Sequence, residues 1–261
     1  MKTYKIRRAV AVYDMHYPLV HEPTWEAILD YLKQNPPDIF IFGGDQLDLQ
    51  CISHHTKHQP LYRLRRGYRN DIEGFEKDIL KPLLAILPKG CEKIWHIGNH
   101  EDWERQLIEE QPELEDIVNH VELLSLRQRG WKVIELGHSF KLGKLVTCHG
   151  EILSGYGAQA GMYPARKAVD MYGANVLAGH THAPQMYTRI SPVDHSQKLQ
   201  AWIAPIAGRT NPTYMRNRPN AWVNGFVVAD IFPNGQFNLY SINVIDSRCA
   251  FGGKVYGRKG V

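Results

Sequence analysis

Apolar and polar positions change rhythm several times along this chain, and the changes mark its elements. Residues 8–13 (RAVAVY) form a short apolar run that reads as a buried strand. After a polar turn, Pro23 opens a helix on which Trp25, Ile28, Leu29 and Leu32 recur at helical spacing, and Pro36-Pro37 ends it. The next strand, Asp38 to Phe42, is apolar without interruption after its first residue, as in a sheet covered on both faces. Ile72, Phe75, Ile79, Leu83 and Ile86 then mark a helix from Asn70 to Leu87, followed by a strand from Lys93 to Ile97. The order βαβαβ makes this an α/β protein.

The pattern next predicts a helix from Glu113 to about Arg127 and shorter strands at Trp131 to Leu136 and Leu145 to Cys148, with Leu142-Gly143 as the turn between them. A helix over Pro164 to Tyr172 and a strand over Asn175 to Ala178 follow, and from Gln185 to Ile245 the chain alternates in twos between Gly, Pro and Asn punctuation. A helical first half and a β-rich second half fit two mixed sheets packed together with helices outside, a four-layer α/β/β/α sandwich. One domain over residues 1–247 is expected, with the Arg/Lys/Gly-rich 248–261 as a surface tail.

Composition narrows the class. The chain of 261 residues can bury a sizeable core, and its net charge of +4 suits phosphate-bearing partners without amounting to a nucleic-acid signature. Four scattered cysteines form no C-x-x-C pair, so a disulfide framework or a zinc ribbon is not expected and a reducing, cytoplasmic setting is. No apolar stretch is long enough for a spanning helix, so no membrane partner is expected.

Thirteen histidines are many for this length, and they gather. Five polar clusters stand at or just past predicted strand ends: Asp14-Met15-His16, Gly44-Asp45-Gln46-Leu47-Asp48, Gly98-Asn99-His100-Glu101, His149-Gly150 and Gly179-His180-Thr181-His182. Open α/β sheets place ligand sites there. If these segments are extended, alternate side chains share a side, so Asp14 and His16 can face one point, as can His180 and His182. Oxygens mixed with imidazoles suit manganese, iron, zinc or nickel better than calcium or magnesium. The clusters offer more ligands than one such ion takes, and two ions about 3.5–4 Å apart need an anionic bridge, for which Asp45 is the natural residue.

Taken in order, D-x-H, GD-x-x-D, GNH-E, H-G and GH-x-H resemble the calcineurin-like metallophosphoesterase superfamily from about Val10 to His182, and "YDMHYP", "LSGYGAQAG" and "LAGHTHAP" look like a branch found in bacteriophages and bacteria. The resemblance implies two divalent metal ions. One is held by Asp14, His16, Asp45 and His182, and the other by Asp45, Asn99, His149 and His180. A hydroxide bridging them would attack phosphorus. It further implies that His100 protonates the leaving group or steadies the transition state, with Asp48 orienting that imidazole.

Among substrates, phosphodiesters of nucleic acid or nucleotides are expected. The rivals are a phosphomonoesterase or protein phosphatase and a non-catalytic relative that binds nucleic acid or protein. Protein phosphatases carry an arginine after the second aspartate and another before GNH, where this chain has Leu49 and Ile97. Next to the site, His54 and His55 are either part of a solvated loop or contacts for substrate phosphate. Arg65 and Arg66, in a stretch that interleaves arginines with tyrosines, are either a solvated helix start or a nucleic-acid contact. Arg209, Arg216 and Arg218 pose the same alternative.

Overall fold

The computed structural model describes residues 5–60, 63, 67–153 and 162–258. Strands β1 (Arg7–Val12), β2 (Ile39–Phe42), β3 (Glu92–His96) and β4 (Trp131–Ile134) pair in parallel, and β10 (Gly225–Ile231) and β11 (Phe237–Asn243) extend the same sheet antiparallel in the order β11-β10-β1-β2-β3-β4. A second sheet runs β5-β6-β7-β9-β8, from β5 (Phe140–Leu142), β6 (Leu145–Thr147), β7 (Asn175–Ala178), β8 (Gln185–Ile190) and β9 (Lys198–Ile203), and it too is mixed.

Strand β2 and the second half of β1 are apolar because each faces two cores. On β1 and β2, Val10, Val12, Phe40 and Phe42 pack outward with Trp25, Ile28 and Leu32 of helix α1 (Glu22–Gln34). Ala9, Ala11, Ile39 and Ile41 face inward, onto Leu145, Leu177 and Trp202 of the second sheet. Beyond that sheet, Val176, Ala178, Ala201 and Ile203 meet Ala165, Ala168 and Val169 of a helix at Pro164–Tyr172. Helix, sheet, sheet and helix make the four-layer α/β/β/α sandwich.

Three expectations change. The helix foreseen over 70–87 is α2 (Tyr68–Phe75) joined to α3 (Lys81–Ile86) by a π turn at Glu76–Leu80, where Pro82 has no N–H for the carbonyl one turn back. Of the helix foreseen over 113–127 only a 3₁₀ turn at Pro112–Leu114 and a single helical turn, α5 (His120–Leu123), form, and a longer helix that was not foreseen, α4 (Trp103–Glu110), precedes them. Pro112 forces the preceding Gln111 out of the helical region (φ −143°, ψ 78°), and Asn119 restarts the helix by accepting the Glu122 N–H.

Within the expected tail, residues 248–258 are not simply a surface extension. Strands β12 (Arg248–Phe251) and β13 (Lys254–Gly257) form a hairpin that sets Tyr256 on Tyr31 of α1, with ring centroids 5.0 Å apart. Asn35 Nδ2 donates to the Tyr256 hydroxyl at 3.0 Å. The basic and glycine residues of this segment mask its inward positions, Cys249, Phe251 and Tyr256.

Among the described residues no helix is long and apolar enough to cross a membrane. The four cysteines are buried and free.

Candidate metal centre

The five polar clusters follow the C-terminal ends of β1, β2, β3, β6 and β7. Backbone bonds carry the β1–β2 pairing past the strands: Asp14 N donates to Gly44 O at 3.1 Å and His16 N to Asp45 O at 2.8 Å. The backbone here is not extended. Asp14 (φ 52°), His16 (50°), Asp45 (53°), His180 (65°) and His182 (60°) are all left-handed. Asp and His enter this region more readily than most residues, though each such residue costs on the order of 1–3 kcal/mol. The side chains therefore converge through repeated left-handed residues, not through strand alternation.

Glycines give the room. Gly44 has φ +102°, and a Cβ there would lie 2.2 Å from His149 Nδ1. A Cβ on Gly98 would strike Asp45 Oδ1 at 2.1 Å.

Two groups of ligand atoms result. In one, His182 Nε2 lies 3.4 Å from Asp14 Oδ1 and 3.2 Å from His16 Nε2, and His16 Nε2 lies 3.9 Å from Asp45 Oδ2. In the other, His149 Nε2 lies 3.4 Å from Asp45 Oδ2, 3.0 Å from Asn99 Oδ1 and 3.3 Å from His180 Nδ1. Asp45 Oδ2 belongs to both. All seven side chains expected to converge do so, and each group draws on both sheets.

The donor chemistry fits cations. His149 Nδ1 lies 3.1 Å from Gly43 O, a carbonyl that can only accept, so this nitrogen carries the proton. Its Nε2 then turns a lone pair on the oxygens of Asn99 and Asp45, and a positive charge must stand between them. In the bare protein a proton serves: burial opposes it, but Asp45 and Asp14 lift His149 to about 10. His16 is likewise lifted to about 9, against its burial, by Asp48, Asp45 and Asp14. His180, pressed by burial and by the neighbouring His149, falls to about 4.

His100 stands beside the bridge, with Nε2 3.9 Å from Asp45 Oδ2. Its Nδ1 donates to the main-chain carbonyl of Asp48 at 2.7 Å, whereas the Asp48 carboxylate Oδ1 lies at 3.6 Å. The expected carboxylate contact is thus made by the carbonyl, and the carboxylate sits between His100 and His16, 3.5 Å from His16 Nδ1. Burial holds His100 below the usual histidine range, against the pull of Asp45 and Asp48.

Three further residues shape the site. Glu101 accepts the N–H groups of Asp45 (3.0 Å), Leu47 (2.9 Å) and Gly98 (2.8 Å), so one carboxylate ties the loop after β2 to the loop after β3. Burial and the Asp45 charge push Glu101 up to about 7. Trp103 lays its ring on His100 with centroids 4.1 Å apart, and Trp222 sets its ring against His182 at 4.3 Å. Glu101 stands in the GNH-E motif and Trp103 three residues after His100, a spacing that helix geometry brings together. Trp222 has no local signal.

His54 and His55 are exposed on a 3₁₀ turn, their rings 6.3 and 6.0 Å from Trp103. They flank the site without touching the two ligand groups. Arg65 and Arg66 lie outside the described residues.

The family model for calcineurin-like phosphoesterases matches residues 14–184, spanning all five clusters. The chain belongs to that family. Its members are metal-dependent phosphoesterases. Among solved structures, a metallophosphoesterase from Sphaerobacter thermophilus is similar at 15% identity over 91% of this chain and 88% of that one, with a TM-score of 0.42. Vps29 complexed with zinc from Entamoeba histolytica is similar at 11% identity over 96% and 97%, with a TM-score of 0.46. A predicted phosphoesterase from Streptococcus pneumoniae matches at 11% identity over 98% and 100%, with a TM-score of 0.36. No curated protein sequence matches significantly.

Proposed function

We propose that this chain is a two-cation phosphodiesterase acting on nucleic acid or nucleotides. One observation carries the reading: two groups of buried ligand atoms share Asp45 Oδ2, and His100 Nε2 stands 3.9 Å from that oxygen. In this reading Asp14, His16, Asp45 and His182 hold one cation and Asp45, Asn99, His149 and His180 the other. The mixed donors favour manganese, with iron, zinc or nickel as substitutes. When bound, such a pair supplies Lewis acidity toward phosphoryl oxygens and makes water a stronger acid.

The chain's own residues do the rest. Asn99 adds an oxygen without a charge, which limits the negative potential met by an anionic substrate. His100, its Nδ1–H spent on the Asp48 carbonyl and its face on Trp103, offers Nε2 for proton exchange with the leaving oxygen. Leu49 and Ile97 are buried and apolar where protein phosphatases have arginines, so neither position can supply a guanidinium clamp for the second charge of a monoester. That supports a diester, with its single charge. Four free, buried thiols suit the cytoplasm.

Assays of bis-p-nitrophenyl phosphate against p-nitrophenyl phosphate with manganese test the reading. The diester should be the better substrate. A preference for the monoester would make the protein a phosphomonoesterase, and no turnover of either by protein with both cations bound would make it a binding module.

A further inference from the structure

Two loops leave the candidate centre and face each other across a cleft. One begins directly after Asp48 and runs to Gln59. The other has both feet at the centre: Gly208 N donates to Asp14 O at 2.9 Å where it departs, and Trp222 packs on His182 where it returns. The cleft between them holds about 620 Å³ and is lined by Gln50, His55, Gln59, Tyr214, Arg216 and Arg218.

Among the described residues that lining contains no carboxylate. Arg216 and Arg218 are exposed, and among the described residues neither guanidinium has an ion pair or a hydrogen bond. Elsewhere the arginines are mostly neutralised: Arg8 by Asp230, Arg105 by Asp102, Arg129 by Glu76 and Arg258 by Glu26. The loop that carries the unpaired pair is nonetheless built. Asn211 Nδ2 donates to Asn217 Oδ1 and Asn220 Nδ2 to Thr210 O, both at 2.8 Å, and Arg216 and Asn217 are successive left-handed residues (φ 50° and 57°).

Position decides what such a cleft can take. His55, on its wall, reaches Trp103 at 6.0 Å, and Trp103 reaches His100 at 4.1 Å. None of the seven candidate ligands lines the cleft, so a phosphate on the arginines is separate from one at the centre, and a substrate that fills both places carries more than one. A polynucleotide strand does, repeating its phosphates every ~3.4 Å of rise when stacked. Guanidinium forks match phosphate oxygens, and the exposed ring of His55 can meet a base only where that base is unpaired.

We propose that this cleft holds the backbone phosphates of a single-stranded polynucleotide whose scissile ester lies at the candidate centre, with Arg216 and Arg218 as phosphate contacts. The inference rests on the diesterase reading above.

Fluorescence anisotropy of a short labelled oligothymidylate, with chelator-treated protein, tests the cleft without any chemistry. Replacing both arginines (R216A with R218A) should weaken binding about tenfold or more and make the salt dependence shallower by about 0.7 for each phosphate no longer neutralised. The lysine pair (R216K with R218K) should keep most of the salt dependence, which separates missing charge from a damaged loop. In turnover, the alanine pair should lower the ratio of kcat/KM for the oligonucleotide to that for bis-p-nitrophenyl phosphate by about the same factor as binding. An unchanged Kd and salt slope in the alanine pair would overturn the proposal, and so would tighter binding of the same strand annealed to its complement. A wild-type preference for the monoester would sink the diesterase reading instead, whatever the anisotropy shows.

Discussion

Two glycines separate two opposite ways of filling the interior. Phe42 is fully buried, stacked on Trp131 at 5.4 Å and edge-on to Trp95 at 5.1 Å. Asp45, just beyond the end of the same strand, is as deeply buried among histidines. The aromatic region is satisfied by shape and apolar area, so its stability depends little on solution conditions. The polar region turns lone pairs on one another and needs positive charge from outside its own side chains. One region makes the fold, and the other makes a site whose state follows pH and metal.

The sharpest test of that contrast removes the shared ligand. Asp45→Ala should leave neither group complete, so elemental analysis should find both cations lost and turnover at background. If the variant keeps two cations, Asp45 is not the bridge. His100→Ala should retain the cations and lose about 10²- to 10⁴-fold in rate on a substrate with a poor leaving group; full activity there would remove His100 from proton transfer.

Metal removal tests the exchange of proton for cation. In the bare protein His16 and His149, raised to about 9 and 10, carry protons at neutral pH. A cation must displace them, so affinity should rise with pH from 6 toward 9, by about tenfold per pH unit for each proton released. Calorimetry in buffers of different ionisation enthalpy counts those protons, and a count of zero would contradict the lone-pair geometry at His149. Glu101→Gln, which places an amide against backbone N–H groups, should weaken metal binding about 10- to 100-fold in titrations. The smallest effect belongs to the aromatic side. Tyr256→Phe deletes the bond from Asn35 and should cost about 1 kcal/mol in urea unfolding with turnover unaltered.

The same contrast governs what can be read from the sequence. Strands β1, β2 and β3 are legible because both faces are covered, and the five clusters because glycine, aspartate and histidine sit together at strand ends. Each of these signals is complete within a few residues. Expectation fails where distant partners decide. The helix expected over 113–127 shrinks to a 3₁₀ turn and the single turn that Asn119 caps, while Pro112 ends α4 just before it. The hairpin at 248–257 is hidden because few of its residues, Cys249, Phe251 and Tyr256, face inward, and their burial depends on partners such as Tyr31 of α1. Asp48 does neighbour His100 as expected, but its carbonyl, not its carboxylate, meets His100 Nδ1. Trp222 is invisible, since nothing near it in the chain points to His182.

Each ligand group straddles the seam between the sheets: His182 joins three residues of the first sheet's loops, and His149 and His180 join Asp45 and Asn99. An ion seated in either group is thus a rivet through two plates, and sliding one sheet against the other would shear it. Loading should therefore raise the melting temperature of the whole molecule, not merely stiffen its rim.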